Sequence, residues 1–128
     1  MGNYQTVVGV GIDVCGWDDI PDFDRSHPFF RLFSEEEIDS CRSRPNPIPC
    51  FAARFAAREA LLKAIGGFVP WLEQIRVGHD PGGAPCFMGP VPSHLRALLS
   101  IAHSAGISTA IVVVLEEVRT AYVVGKDG

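Results

Sequence analysis

The segment from Ala53 to Gly66, ARFAAREALLKAIG, limits the possible folds of this chain more than any other segment. It consists almost entirely of strong helix formers, and Gly66-Gly67 followed by Pro70 ends the predicted helix. An α-helix turns by about 100° per residue, so one side of this helix carries only alanines, at positions 53, 57, 60 and 64. This small-residue side predicts close packing against a sheet or another helix.

A second stripe of the same helix carries Phe55, Glu59 and Lys63. Glu59 four residues before Lys63 is typical of a solvent-exposed ion pair, worth about 0.3 kcal/mol. The alternative is that this stripe carries the chemistry of the protein. The spacing alone favours the exposed ion pair.

The apolar run from Val7 to Val14 predicts a buried strand, and Asp13 interrupts it near its end. A carboxylate in a buried strand is costly unless it is paired or binds a cation, although an aspartate at a strand end can also cap a turn. Gly9 and Gly11 do not form a dinucleotide-binding fingerprint, because no third glycine and no helix pattern follow them.

The remaining segments predict an α+β fold, an antiparallel sheet packed on one long helix at residues 50–65. Ser34 to Glu37 has the pattern of a capping box and begins a short helix that ends near Arg42. Residues 44–49 contain three prolines and predict a loop. The predicted strands cover residues 7–14, 73–79, 86–88, 98–103 and 109–116, with a further strand at 119–125. We expect one domain over residues 1–128.

Composition excludes several classes of protein. The chain is 47% hydrophobic and 20% charged, as globular proteins are. Its net charge of −4 argues against a general nucleic-acid binder. No apolar run is long enough to cross a membrane, and no signal peptide is indicated. The cysteines show neither CxxC nor zinc spacing, so we expect four reduced thiols in a cytoplasmic protein.

The strand at residues 7–14 and the helix at residues 50–65 together resemble the holo-acyl-carrier-protein synthase family, the small type of 4'-phosphopantetheinyl transferase. The family's Gly-Ile-Asp-hydrophobic strand is matched by residues 11–14. Its helix, Arg-Phe-Ala-Ala-Lys-Glu-Ala-x-x-Lys-Ala-x-Gly, is matched by residues 54–66, with Arg58 in place of lysine. Gly83-Ala84-Pro85 stands where the family has Gly-Lys-Pro, and residues 100–104 match its Ser-hydrophobic-Ser/Thr-His strand more weakly. The resemblance covers about residues 7–116.

The resemblance implies an enzyme that transfers the 4'-phosphopantetheine arm of coenzyme A to a serine of an acyl or peptidyl carrier protein. Adenosine 3',5'-bisphosphate is then the leaving product. Asp13 and Glu59 are implied as ligands of Mg²⁺, an ion that takes one or two carboxylates together with waters and phosphate oxygens. Lys63 is implied to reach the phosphates or the attacking hydroxyl.

The resemblance also implies a coenzyme A site and an oligomer. Arg54 and His103 match positions that contact the 3'-phosphate end of coenzyme A. Pro85 matches the turn near the adenine, and Gly66 lets the chain leave the helix near the pantetheine arm. Family members form homotrimers with the active site between subunits. The implied pathway is fatty-acid or polyketide biosynthesis, and no nucleic-acid or membrane partner is expected.

Two departures keep a second interpretation open. Asp19 stands where the family has an arginine that meets the acidic helix of the carrier, and residues 15–25 contain four aspartates against Arg25. Ala84 stands where the family has a lysine. Either other arginines (Arg25, Arg31, Arg42, Arg44) meet the carrier, or the carrier is less acidic. The alternative function is a relative that binds coenzyme A or a carrier protein without transferring the arm.

Overall fold

A three-stranded antiparallel sheet and one long helix form the centre of the molecule. The computed structural model describes residues 3–119. Its helices are α1 (Glu35–Arg42) and α2 (Ile48–Ile65). Its strands are β1 (Asn3–Gly16), β2 (Arg76–His79), β3 (Pro85–Met88), β4 (Leu95–Ser104) and β5 (Ile107–Arg119). The predicted fold class is confirmed, and α2 begins two residues before the prediction because Pro47, Ile48 and Pro49 form its N-terminal end.

The strands divide into two sheets. The larger has the order β1-β5-β4, and β2 pairs with β3 in a separate hairpin. The predicted strand at residues 73–79 was too long at its start, because Pro70–Gln74 forms a 3₁₀ turn before β2. The predicted strand at 119–125 lies outside the described residues apart from Arg119, where β5 ends. Among residues 3–119 no helix is long and apolar enough to cross a membrane.

The alanine face of α2 lies against β1 at two glycines. A Cβ atom placed on Gly9 would lie 1.8 Å from the carbonyl oxygen of Ala64, and one on Gly11 would lie 1.9 Å from that of Ala60. Both alanines are buried. The close approach predicted from the alanines is therefore present, and the two glycines of β1 are what permit it.

The opposite face of the larger sheet is apolar and uncovered in the single chain. Val10, Ile12 and Val14 alternate with the residues that face α2, and each is more than half exposed. Ile12 pairs across the sheet with Ile111, which is itself 41% exposed. Exposed contiguous apolar surface of this kind is typical of interaction sites.

The expectation of four reduced thiols is wrong for two cysteines. Cys41 at the end of α1 and Cys50 in the first turn of α2 form a disulfide, with Cα atoms 5.3 Å apart. The prediction failed because the sequence did not show that the two helices bring these residues together. Cys15 and Cys86 are free. Burial raises the pKa of the Cys15 thiol, and the carboxylates of Asp19 and Asp13 add to this effect.

Candidate active site

The carboxylate of Asp13 meets Lys63 where β1 crosses α2. Lys63 Nζ donates to Asp13 Oδ1 at 2.9 Å and to the carbonyl oxygen of Ile12 at 3.1 Å. The Asp13 side chain is 17% exposed, whereas Lys63 is mostly in solvent. Asp13 lies on the face of β1 that carries Gly11, which explains why this side chain points toward the helix. Two predicted site residues that are 50 positions apart in the sequence therefore touch.

Glu59 lies one helical turn before Lys63 and borders a cavity that neither Asp13 nor Lys63 lines. It is half-buried. The cavity measures about 250 Å³ and is mainly apolar, with walls that include Phe55, Leu62 and Phe68. The neighbouring Arg58 donates to the carbonyl oxygen of Ile75. Burial lowers the pKa of Arg58, and the carboxylates of Glu37 and Glu59 oppose that effect.

The oxygen donors of Asp13 and Glu59 fit a hard cation such as Mg²⁺. Carboxylates are the ligands that Mg²⁺ takes, and two from the protein suffice when waters and phosphate oxygens complete the shell. Lys63 contacts Asp13 directly, and Glu59 precedes Lys63 on α2 by one turn. Over residues 3–119, no three His, Cys, Asp or Glu side chains are grouped closely enough to form a metal site by themselves.

Arg54, Pro85 and His103 line one cavity of about 440 Å³. They come from α2, from the first residue of β3 and from the end of β4. The predicted coenzyme A residues of these three segments are thus brought together. Gly66 is not among them, because it ends α2 in the left-handed conformation with φ 93°, about 18 Å along the helix from Arg54.

Arg54 is held inside the wall of this cavity, which we call the basic cavity. It is 5% exposed, and its Nη1 donates to Cys50 Sγ at 3.3 Å. Its Nε lies 3.9 Å from Glu37 Oε2 and has no hydrogen-bond partner. Burial lowers the pKa of Arg54, the Glu37 carboxylate opposes this, and the positive charge of Arg44 adds to the lowering.

His103 lies beside a small hydrogen-bond chain at the end of β4. Its ring centroid is 6.4 Å from that of Trp17. The Trp17 indole N–H donates to Ser108 Oγ at 2.9 Å, and the Ser108 hydroxyl donates to the carbonyl oxygen of Pro49 at 3.2 Å. These hydrogen bonds fix one wall of the basic cavity, because Pro49 is part of that wall.

Sequence reasoning did not place four residues at the basic cavity, one of which, Arg44, it considered only as a contact of the carrier. Glu37 was recognised as part of a capping box, and it does exchange hydrogen bonds with Ser34. Its second oxygen also accepts from the backbone N–H of Val77 at 2.9 Å, so the same carboxylate joins α1, α2 and β2. The other three are Arg44, Cys50 and His79, which line the cavity. No local pattern marks them, because only the tertiary packing brings their segments together.

The match to a family model decides the affiliation of the chain. Residues 9–120 match the model of the 4'-phosphopantetheinyl transferase superfamily. The chain belongs to this family. The match includes the strand with Asp13, the whole of α2 and the strand with His103, so the resemblance drawn from the motifs is confirmed.

Individual relatives agree with the family model. A holo-[acyl-carrier-protein] synthase of Koribacter versatilis is 35% identical, over 84% of this chain and 97% of its own length. One of Clavibacter sepedonicus is 39% identical, over 82% and 92%. The solved structure of the Neisseria meningitidis synthase superposes with a TM-score of 0.71 at 26% identity, over 85% and 98% of the two chains. That of the Bacillus anthracis synthase, in complex with CoA (3',5'-ADP), has a TM-score of 0.70 at 29% identity, over 86% and 97%.

Proposed function

We propose that this protein is a holo-[acyl-carrier-protein] synthase, which transfers the 4'-phosphopantetheine arm of coenzyme A to a serine of a carrier protein. The observation that carries the proposal is the meeting of Asp13 and Lys63 one turn from Glu59, within a chain of this family. The serine hydroxyl oxygen forms a bond to the phosphorus that bears the pantetheine, and the hydroxyl proton is released to solvent. The bond from that phosphorus to the bridging oxygen breaks, and adenosine 3',5'-bisphosphate leaves.

The roles of the individual residues follow from their chemistry. Asp13 and Glu59 would hold Mg²⁺ by their carboxylate oxygens. When bound, this ion neutralises the charge that develops on the diphosphate oxygens. Lys63 Nζ carries a fixed positive charge at the same place and can donate to phosphate or to the attacking hydroxyl. Gly66 leaves the end of α2 free of a side chain next to the pantetheine arm.

The basic cavity suits the nucleotide half of coenzyme A. The Arg54 guanidinium and the His103 ring carry N–H groups that can donate to phosphate, and Pro85 gives an apolar surface for the adenine. The solved relative from Bacillus anthracis was crystallised with CoA (3',5'-ADP), which supports a nucleotide site in this family. Ala84 is exposed and adds no charge, so we infer that the cation of the family's lysine is missing from this turn.

The acidic segment after β1 favours a less acidic carrier. Asp18 and Asp19 are exposed. Arg25 is paired with Glu35, and Arg42 stacks on the ring of Phe23 at 4.1 Å. Two of the arginines that could have met an acidic carrier therefore have partners within the chain. Like charges facing each other slow association, which supports a carrier with a neutral recognition surface, such as one of polyketide or peptide synthesis.

The decisive experiment is incubation with coenzyme A, Mg²⁺ and a panel of apo carrier proteins, followed by intact-mass measurement. We expect the carrier to gain the mass of phosphopantetheine, and the gain to be faster for carriers of low acidity at low salt. A protein that binds coenzyme A but modifies no carrier in the panel would instead be the non-transferring relative. We place the reaction in the cytoplasm, where coenzyme A and apo carriers meet.

We further propose a homotrimer assembled through the apolar outer face of the larger sheet. Exchange of Ile12 for aspartate puts a charge in the middle of this face, so we expect Ile12→Asp to be monomeric by light scattering when the unchanged protein is a trimer. Met88→Asp is the matched control, because Met88 is also about half exposed but lies on the β2–β3 hairpin. An unchanged mass for Ile12→Asp, or a monomeric parent protein, would contradict the proposal.

A further inference from the structure

Four basic side chains surround the basic cavity, and two of them have no role in the function proposed so far. Arg54 and His103 were assigned to coenzyme A; the others are Arg44 and His79. They come from four separate segments, namely the loop before α2, α2 itself, the end of β2 and the end of β4. The described residues that line this cavity include no carboxylate. Its chemistry is therefore that of an anion site.

Arg54 alone does not give this cavity its full charge. The side chain is fixed in the wall by Cys50, and Glu37 lies 3.9 Å from its Nε, which offsets part of its charge. An anion that enters the cavity therefore needs further donors nearer the opening. His79 and His103 are both exposed and line the same cavity, so they can provide them.

Of the described residues of the β2–β3 hairpin, His79 is the one basic side chain that lines the cavity. Asp80 is engaged in its own turn, where Oδ1 accepts from the backbone N–H groups of Gly82 and Ala84. Ala84 carries no charge. His79 is the last residue of β2 and pairs across the hairpin with Pro85, which also lines the cavity. The imidazole thus stands one residue before the turn from which the family's lysine is absent.

We propose that His79 contacts a phosphate of coenzyme A, and that it makes the affinity for coenzyme A rise as the pH falls from about 8 to about 6.5. The proposal rests on the proposed function, since it names a further binding residue for the same substrate. Histidine is the side chain whose charge ordinarily changes in this range, and the imidazolium, with two N–H donors and a positive charge, attracts phosphate more strongly than the neutral ring. Phosphate binding then takes up a proton at His79.

With one exception, the other charged groups near His79 do not explain a rise in coenzyme A affinity between about pH 8 and about pH 6.5. The cations are Arg44, Arg54 and Arg76, which keep their charge throughout the range. The carboxylates are Glu36, Glu37 and Asp80, of which the last two accept backbone hydrogen bonds. The exception is His103, which lines the cavity and also changes charge. The share of His79 must therefore be read from a variant of His79 itself.

The test is calorimetric titration with coenzyme A at about pH 6.5 and about pH 8, at fixed ionic strength. We expect the unchanged protein to bind coenzyme A more tightly at the lower pH. At that pH His79→Gln should bind about 3- to 10-fold more weakly than the unchanged protein, and at the higher pH the two should differ little. His79→Lys, charged at both pH values, should bind tightly at both and show the smaller pH dependence. His94→Gln is the matched control, because His94 is exposed in the β3–β4 connection and outside the cavity.

The outcomes separate this proposal from the proposed function. If the parent protein modifies carriers but His79→Gln keeps the full pH dependence of the parent's coenzyme A binding, the role of His79 is overturned and the transferase stands. If the parent neither binds coenzyme A nor modifies any carrier, both fail. Titration with coenzyme A that lacks its 3'-phosphate identifies which phosphate His79 contacts. If the parent and His79→Gln then bind with equal affinity at the lower pH, the contact is with the 3'-phosphate. If their affinities still differ, the contact is with the diphosphate.

Discussion

Glu59→Gln is expected to lower kcat/KM for phosphopantetheine transfer by about 100- to 1000-fold at saturating Mg²⁺. Asp13→Asn should have an effect of similar size. Each amide keeps the volume of the side chain but removes a negative charge that we assign to the metal. Transfer is measured by intact mass of the carrier, and thermal unfolding checks that each variant is folded.

Two exposed acidic residues give matched controls for these variants. Glu73 is exposed and lines the same apolar cavity as Glu59, and Asp18 is exposed shortly after β1. Glu73→Gln and Asp18→Asn should change kcat/KM less than about threefold, since neither carboxylate is assigned to the metal. Near-normal turnover of Glu59→Gln or Asp13→Asn at saturating Mg²⁺ would show that the metal site has been assigned to the wrong residue.

Gly11→Ala is expected to destabilise the fold by about 3 kcal/mol or more. The new methyl group would lie 1.9 Å from the carbonyl oxygen of Ala60, so β1 and α2 must move apart. The atoms in the way belong to the helix backbone and cannot rotate aside, unlike the end of a flexible side chain. Gly9→Ala meets the carbonyl oxygen of Ala64 at 1.8 Å and should be at least as damaging.

Urea unfolding at one fixed protein concentration measures these losses, because an oligomer's stability depends on concentration. Gly82→Ala is the matched control. Its methyl group would find only Asp80 Oδ1 at 3.4 Å, in an exposed turn, and should cost less than about 1 kcal/mol. A midpoint for Gly11→Ala equal to that of Gly82→Ala would mean that the helix does not lie this close to the strand.

Local features of the fold could be predicted from the sequence. The composition and spacing of α2 predicted where it ends and which face packs, because helix propensity and periodicity depend on neighbouring residues. The capping box of α1 was predicted for the same reason, and Ser34 and Glu37 form it. Family resemblance added what periodicity could not, since it singled out Asp13 and Lys63, which touch in the structure.

Features that depend on distant segments could not be predicted in this way. Glu37 serves three elements at once, and a capping pattern reveals only its local partner. Gly9 and Gly11 were read only as a failed dinucleotide motif, because their role depends on which helix crosses them. The division into two sheets follows from long-range pairing, which the alternation of single strands does not specify.

The disulfide between Cys41 and Cys50 turns residues 42–49 into a closed ring. Arg44 and Asn46 belong to this ring and form part of the wall of the basic cavity. A wall tied at both ends has already lost much of the conformational freedom that a ligand would otherwise have to remove, so the disulfide preorganises one side of the cavity. With both thiols reduced this tie is lost, and the nucleotide itself must order more of the loop between α1 and α2.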